Sequence, residues 1–223
     1  FPIKIYLQAA FDDGSSDQSP EIIEGFKKNK LYKFNYKVIT LDINSGKGKA
    51  IQSGIKNSRG NYILLQDADL ELDIKDSNEM YNLIKSNSDI KCLFGSRYLS
   101  GKLKKNIYFF NSLIGKINST IFNILFAQSL SDVHCGLKII HRSVIDKIKL
   151  SVNDFGIEID LASQIVRNKF FIYEYGVSYY SRTKAEGKKI TWLDGLKSIF
   201  YLMKARYYDN SKSTNYSIFF SSI

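Results

Sequence analysis

Proline and cysteine are scarce, with two of each in 223 residues. Cys92 and Cys135 are too few for a disulfide framework and neither belongs to a CxxC pair, so a reducing, cytoplasmic setting is expected rather than a secreted one. No internal repeat or low-complexity segment stands out. No apolar stretch reaches the length needed to cross a bilayer. The opening "FPIKIYLQAAF" is short and runs straight into acid, unlike a signal peptide. What remains is ordinary globular composition, 44% hydrophobic and 24% charged, which argues against disorder. The net charge of +10 favours anions: phosphates, nucleic acid or an acidic membrane face. The length suits one generous domain, read as residues 1–208 with a frayed tail at 209–223.

Short β-rich runs alternate with helical ones. Strands are predicted over 3–11, 36–41, 62–66, 90–96 and 170–181, and helices over 19–29, 48–58 and 77–86, the first with Ser19 as a candidate N-cap and Pro20 in its first turn. That rhythm predicts βαβ units and a mostly parallel sheet flanked by helices. After residue 100 a long apolar helix is predicted over 111–130, either a core helix or one lying on a membrane surface, and another over 190–208.

Three predicted strand ends carry chemistry. "NYILLQDADLEL" (61–72) stops in acid; residues i and i+2 of a strand share a face, so Asp67 and Asp69 are expected to converge where open α/β sheets hold ligands. Two hard carboxylates suit Mg²⁺ or Mn²⁺, with water and substrate phosphates completing the shell; a solvated turn is the plain alternative. "AFDDGSSD" (10–17) offers Asp12 and Asp13 to a base or ribose, or is an ordinary Asx/Gly turn. "NSGKGKAIQSG" (44–54) interleaves Gly46, Lys47, Gly48 and Lys49 before a helix, a cradle for an anion, although it is neither a Walker A loop nor a complete dinucleotide fingerprint. An acidic metal loop, an acidic nucleoside loop and a basic phosphate loop together describe a nucleotide-diphosphate site. His134 and Cys135 are adjacent without a second pair, a poor zinc signature, and read as packed side chains.

These blocks, with "FGSRYLSG", "SDVHCGLKIIHRSV", "FGIEIDL" and "YYSRTKAEGKKITWLDGLK", resemble family 2 glycosyltransferases over residues 10–206. They look most like the polyprenyl-phosphate (dolichyl-phosphate) sugar transferases and their bacterial relatives. The resemblance implies an α/β GT-A (Rossmann-like) fold with a C-terminal helical/β extension on the acceptor side, a UDP- or GDP-linked sugar donor and a divalent metal. It places Asp12 and Asp13 at the nucleoside, Gly46, Lys47 and Gly48 beside the donor, and Asp67, Asp69 and Glu71 at the metal. Arg97, Arg182 and Lys188 would meet the phosphate of a lipid acceptor, with peripheral contact at the cytoplasmic face of a membrane and no nucleic-acid partner. The family's leading strand and "P-x-Y-N-E"-type loop have no counterpart among residues 1–11, so a first unit is expected to be missing; Ala162 stands where a further acid is often found, so the acceptor end is expected to differ.

The implied reaction is a single inverting displacement in which a metal on Asp67 and Asp69, with Lys47 nearby, neutralises the departing diphosphate. A lipid phosphate needs cations but no base. A sugar hydroxyl needs a carboxylate base, for which Glu158 and Asp160 are the candidates, Asp132 being the reserve or else a helix cap after Leu130. The rival readings are a metal-dependent phosphohydrolase, a basic module binding nucleic acid or an anionic membrane, and a folded but inactive transferase.

Overall fold

The computed structural model describes residues 8–12, 18–28, 36–40, 44–99, 101–105, 108–187 and 192–207. In chain order these form β1 (Gln8–Asp12), α1 (Ser19–Lys28), β2 (Tyr36–Thr40), α2 (Lys47–Asn57), β3 (Tyr62–Leu65), α3 (Ile74–Ser86), β4 (Cys92–Ser96) and β5 (Lys104–Lys105). Then come α4 (Phe109–Phe126), β6 (Lys138–His141), α5 (Arg142–Ile145), α6 (Ile157–Arg167), β7 (Tyr173–Gly176), β8 (Tyr179–Tyr180) and α7 (Trp192–Tyr207).

Strands β1 and β2 pair in parallel. The main sheet has the order β3-β6-β4-β7. Because β3 and β4 both run antiparallel to β6, and β4 runs parallel to β7, three of these four strands point the same way. Alternate residues face opposite sides of a strand, and the core divides accordingly. Cys92, Phe94 and Ile140 join Phe122, Ile159 and Leu202 from α4, α6 and α7 on one face. Leu93 and Ile139 join Met80 and Ile84 from α3 on the other. Helices thus cover both faces of a mostly parallel sheet, as the strand–helix rhythm predicts.

Several elements differ from the sequence reading; β5, α5 and α6, the helix that carries Glu158, have no counterpart in it. The strand predicted over 170–181 is two short strands, since the Val177 N–H bonds back to Ser96 and the chain then joins β5 through β8. Strand β6 was not predicted; it has only four residues and begins with a lysine. The long helix ends at Phe126 rather than residue 130, where Ala127 takes a left-handed conformation (φ 51°). That helix has one buried face and one exposed face. Asn118, Ser119, Phe122 and Phe126 are buried, while Phe110, Leu113, Ile117 and Ile124 form an exposed apolar stripe at helical spacing. Helix α7 packs against α4 and carries a second stripe, Leu193, Leu196, Phe200, Met203 and Tyr207. Among the described residues no helix is long and apolar enough to cross a membrane.

Phe122 is fully buried and stacks on Phe126 with ring centroids 4.7 Å apart. Phe122→Ala is expected to lower stability by about 3–5 kcal/mol, read from urea unfolding midpoints at unchanged slope.

Candidate active site

Strands β3, β4 and β7 end on the same edge of the sheet, and the opposed β6 begins there. Asp67 follows β3 by two residues, Arg97 follows β4 directly, and Lys138 opens β6 just after Asp132, His134 and Gly136. The strand predicted to carry Asp67 and Asp69 stops at Leu65. The two carboxylates lie in the turn beyond, in which Asp69 Oδ1 accepts from the Glu71 N–H at 3.1 Å and Leu70 is left-handed (φ 59°). Turn geometry, not strand alternation, brings both to one cavity of about 190 Å³, which Lys47, Arg97, His134 and Glu158 also line.

Helix α2 delivers Lys47 at its first residue. Gly46, at φ +93°, permits the entry, and a Cβ there would lie 2.4 Å from the Asn153 carbonyl oxygen. One at Gly48 would lie 2.2 Å from the Val152 carbonyl oxygen. The glycines therefore let α2 seat against the segment leading into α6, and the Lys49 N–H donates to Asn153 O at 3.1 Å. Lys47 Nζ reaches Asp67 Oδ1 and Oδ2 at 2.8 and 2.9 Å and Glu158 Oε1 at 2.9 Å. The other oxygen of Glu158 takes Lys138 Nζ, which also donates to the Cys135 carbonyl. Gly136 leaves room for this arrangement, since a Cβ there would lie 2.1 Å from Asp67 Oδ2.

The electrostatics follow from this chain of alternating charge. Burial alone would raise the Glu158 carboxyl, but Lys138 and Lys47 draw it down to about 2. Burial works against the Lys47 charge; Glu158 and Asp67 outweigh it and hold the ammonium above its usual range. Asp69 is raised, chiefly by burial and with help from Asp67 and Glu71, against the pull of the Glu71 N–H and Arg182.

Asp69 has its own cation, Arg182 Nη2 at 3.1 Å. Glu71, expected as a third metal ligand, lines the same cavity; its Oε1 accepts the Arg182 N–H at 2.9 Å and its Oε2 the Tyr179 hydroxyl at 3.3 Å. Glu71 thus clamps the strand that leads to Arg182 onto the acidic turn. Among the described residues no group of three or more His, Cys, Asp or Glu side chains is arranged to hold a metal ion. The donor set still fits a hard divalent cation. Asp67 and Asp69 are both carboxylates on one cavity, both already draw cations, and two protein ligands leave the remaining positions to phosphate and water.

Arg97 is bound bidentately by the fully buried Asp132, Nε–Oδ2 at 2.7 Å and Nη2–Oδ1 at 2.9 Å. Its guanidinium also lies over the rings of Tyr98 and Tyr179. Burial would raise the Asp132 carboxyl, yet Arg97 holds it below the usual range. Asp132 is therefore neither a free base nor a helix cap, α4 having ended at Phe126. Glu174 of β7 fixes its backbone, accepting from the N–H groups of Ser131 and Asp132. Asp160 is not brought to the cavity; its Oδ2 accepts from the Ser151 and Val152 N–H groups at 2.8 and 3.2 Å. Residues two apart on a helix point to different sides, so α6 can aim only Glu158 at the site. Asp12 closes β1 at its C-terminal end. Asp13 and Lys188 lie outside the described residues.

His134 is half-buried and lines the cavity beside Asn118. Asn118 Nδ2 donates to Gly195 O at 2.9 Å and sits 3.2 Å from His134 Nε2, so that ring nitrogen accepts and the imidazole is neutral. Burial lowers its pKa to about 4, and burial raises the Cys135 thiol to about 12. Lys138 was missed in the sequence; its only signal is a charge among Leu137, Ile139 and Ile140.

A two-sided α/β sheet with a basic helix start facing paired acids at its strand ends is the GT-A arrangement. The comparisons agree. The model of the Glycosyl transferase family 2 matches residues 10–149, and the chain belongs to that family. It is 25% identical over 185 residues to the dolichyl-phosphate beta-glucosyltransferase of Dictyostelium discoideum, covering 80% of this chain and 55% of that protein. It is 28% identical over 218 residues to the human protein of the same name, covering 90% and 64%. It is 26% identical over 206 residues to the dolichol-phosphate mannosyltransferase of Pyrococcus furiosus, covering 89% and 55%. The chain thus spans little more than half to two thirds of these relatives. Among solved structures, glucosyl-3-phosphoglycerate synthase from Mycobacterium tuberculosis with Mn²⁺, UDP and phosphoglyceric acid superposes with a TM-score of 0.65 at 13% identity, covering 89% of this chain and 67% of that one. That likeness supports the fold.

Two acid-sensitive windows follow. The folded chain refuses the proton that unfolded His134 takes, so stability is lost as pH falls from about 6.5 towards 4. The ionised Glu158 contributes fully above the unfolded carboxyl's 4.5 and loses its contribution as pH falls towards 2. Urea unfolding against pH is expected to show both declines, the lower on the order of 2–3 kcal/mol, and His134→Gln should flatten only the upper one.

Proposed function

We propose that this domain transfers a hexosyl group from a UDP- or GDP-linked sugar to the phosphate of a polyprenyl lipid, with inversion. The observation that carries the acceptor class is the state of the two candidate bases. Glu158 is fixed as a carboxylate between Lys47 and Lys138, and Asp160 is spent on backbone N–H groups. A hydroxyl acceptor must give up a proton, for which these two carboxylates are unsuited. A phosphate arrives ionised and needs cations, and Arg97 and Arg182 line or border the same cavity. The relatives named for transfer to dolichyl phosphate support this reading.

In the reaction an acceptor phosphate oxygen attacks the anomeric carbon. The bond from that carbon to the β-phosphate oxygen breaks, and its electron pair stays on the departing nucleoside diphosphate; no proton changes hands. Mg²⁺ or Mn²⁺, held by Asp67 and Asp69, would supply positive charge to that diphosphate. Lys47 adds a second cation on the same side.

The exposed stripes of α4 and α7, beside Lys116 and Lys197, suit peripheral contact with an anionic membrane. Phe110→Ser with Phe200→Ser is expected to reduce co-flotation with anionic vesicles several-fold while the melting temperature holds.

Function is tested with UDP-glucose and GDP-mannose, Mn²⁺, and either polyprenyl phosphate or the matching polyprenol. Transfer to the phosphate alone, reduced at least a hundredfold by Asp69→Asn, is the expected result. Transfer to the polyprenol overturns the acceptor assignment. Release of inorganic phosphate without transfer would favour a phosphohydrolase. Binding that is lost in salt and indifferent to Asp69→Asn, with no turnover, would favour an inactive basic module.

A further inference from the structure

Lys47 occupies both oxygens of Asp67, the carboxylate through which the proposed divalent cation would be held. A dication and an ammonium cannot share that carboxylate closely, because like charges a few ångströms apart repel. Lys47 nevertheless has a second anchor, Glu158 Oε1 at 2.9 Å, so leaving Asp67 does not strand it. Its backbone cannot take part in such a move, because Gly46 and Gly48 are seated hard against Val152 and Asn153. Any shift is confined to the four-carbon side chain. Lys138 cannot substitute, being fully buried and tied to Glu158 and the Cys135 carbonyl.

We infer that Lys47 is the resident counter-cation of Asp67 and transfers to the donor diphosphate as the metal takes Asp67, making metal and nucleotide bind synergistically. Metal alone must expel Lys47 with no anion to receive it beyond Glu158, whose charge Lys138 already shares. Metal arriving with a diphosphate brings Lys47 a new partner, so each ligand improves the other's affinity by the same factor. Glu158 and Lys138 act as positioning residues, holding the pivot from which Lys47 moves. The inference rests on the metal assignment above and adds the coupling between metal and donor, which that assignment leaves open.

The test uses Lys47→Met in the full chain. Removing Lys47 leaves Glu158 paired with Lys138, so the buried carboxylate keeps a partner; circular dichroism and a melt check the fold, with Lys47→Gln as the second variant. Free Mn²⁺ is followed by its electron paramagnetic resonance signal during titration without nucleotide, and UDP and GDP affinities are measured by calorimetry with and without saturating Mn²⁺. The wild type is expected to bind Mn²⁺ alone weakly and to gain roughly tenfold when its nucleotide is present. The variant should bind Mn²⁺ alone more tightly than the wild type, by a similar factor, and lose most of the synergy. A folded variant that binds Mn²⁺ alone no better than wild type, or keeps the full synergy, overturns the inference while leaving the metal assignment in place. Asp69→Ala separates the two, because wild-type Mn²⁺ binding that is indifferent to Asp69→Ala, or absent with every nucleotide, overturns both.

Discussion

Four side chains in line, Asp67, Lys47, Glu158 and Lys138, carry alternating charge from the mouth of the cavity to the middle of the sheet. Each inner member would be prohibitively costly to bury alone, and each is tolerable because its neighbours bear the opposite sign. The four come from the β3 turn and the starts of α2, α6 and β6, so the line fastens together the elements whose ends define the site. The electrostatic requirement of the line and that of the proposed reaction coincide: the proposal needs a cation beside the donor, and a buried carboxylate keeps Lys47 in the cavity.

The same logic recurs around the rim. Asp132 is buried only because Arg97 embraces it, and Asp69 and Glu71 together hold Arg182 and the strand preceding it. The cavity is thus lined by pairs, not by single charges. An incoming anion finds arginines and a lysine already fixed in place, which lowers the ordering cost of binding, but every cation it takes up must be given up at least in part by an acid.

The fold was legible where the sequence repeats a period. β3, β4 and the helices after them follow from short apolar runs and apolar helical stretches, and the GKG and DAD motifs mark two strand ends that border the cavity. What escaped has physical reasons. β6 is too short for periodicity to register, and its buried lysine contradicts the usual pattern. Glu158 and Asp160 look equivalent in one dimension, but the helix turns them apart. That Glu71 would also clamp the strand leading to Arg182 depended on the left-handed turn at Leu70 and on a segment 111 positions away. Arg97 was visible as a residue; that Asp132 would claim it depended on two segments meeting from 35 positions apart.

The seating of Gly46 and Gly48 against Val152 and Asn153 makes the spacing between Lys47 and Glu158 a property of main-chain contact, not of side-chain choice. The two segments, 44–50 and 151–158, are consequently one packing unit despite the hundred residues between them. Anyone transplanting the glycine-lysine loop of another protein into this scaffold would have to move both, since either half exchanged alone meets a surface shaped for its original counterpart.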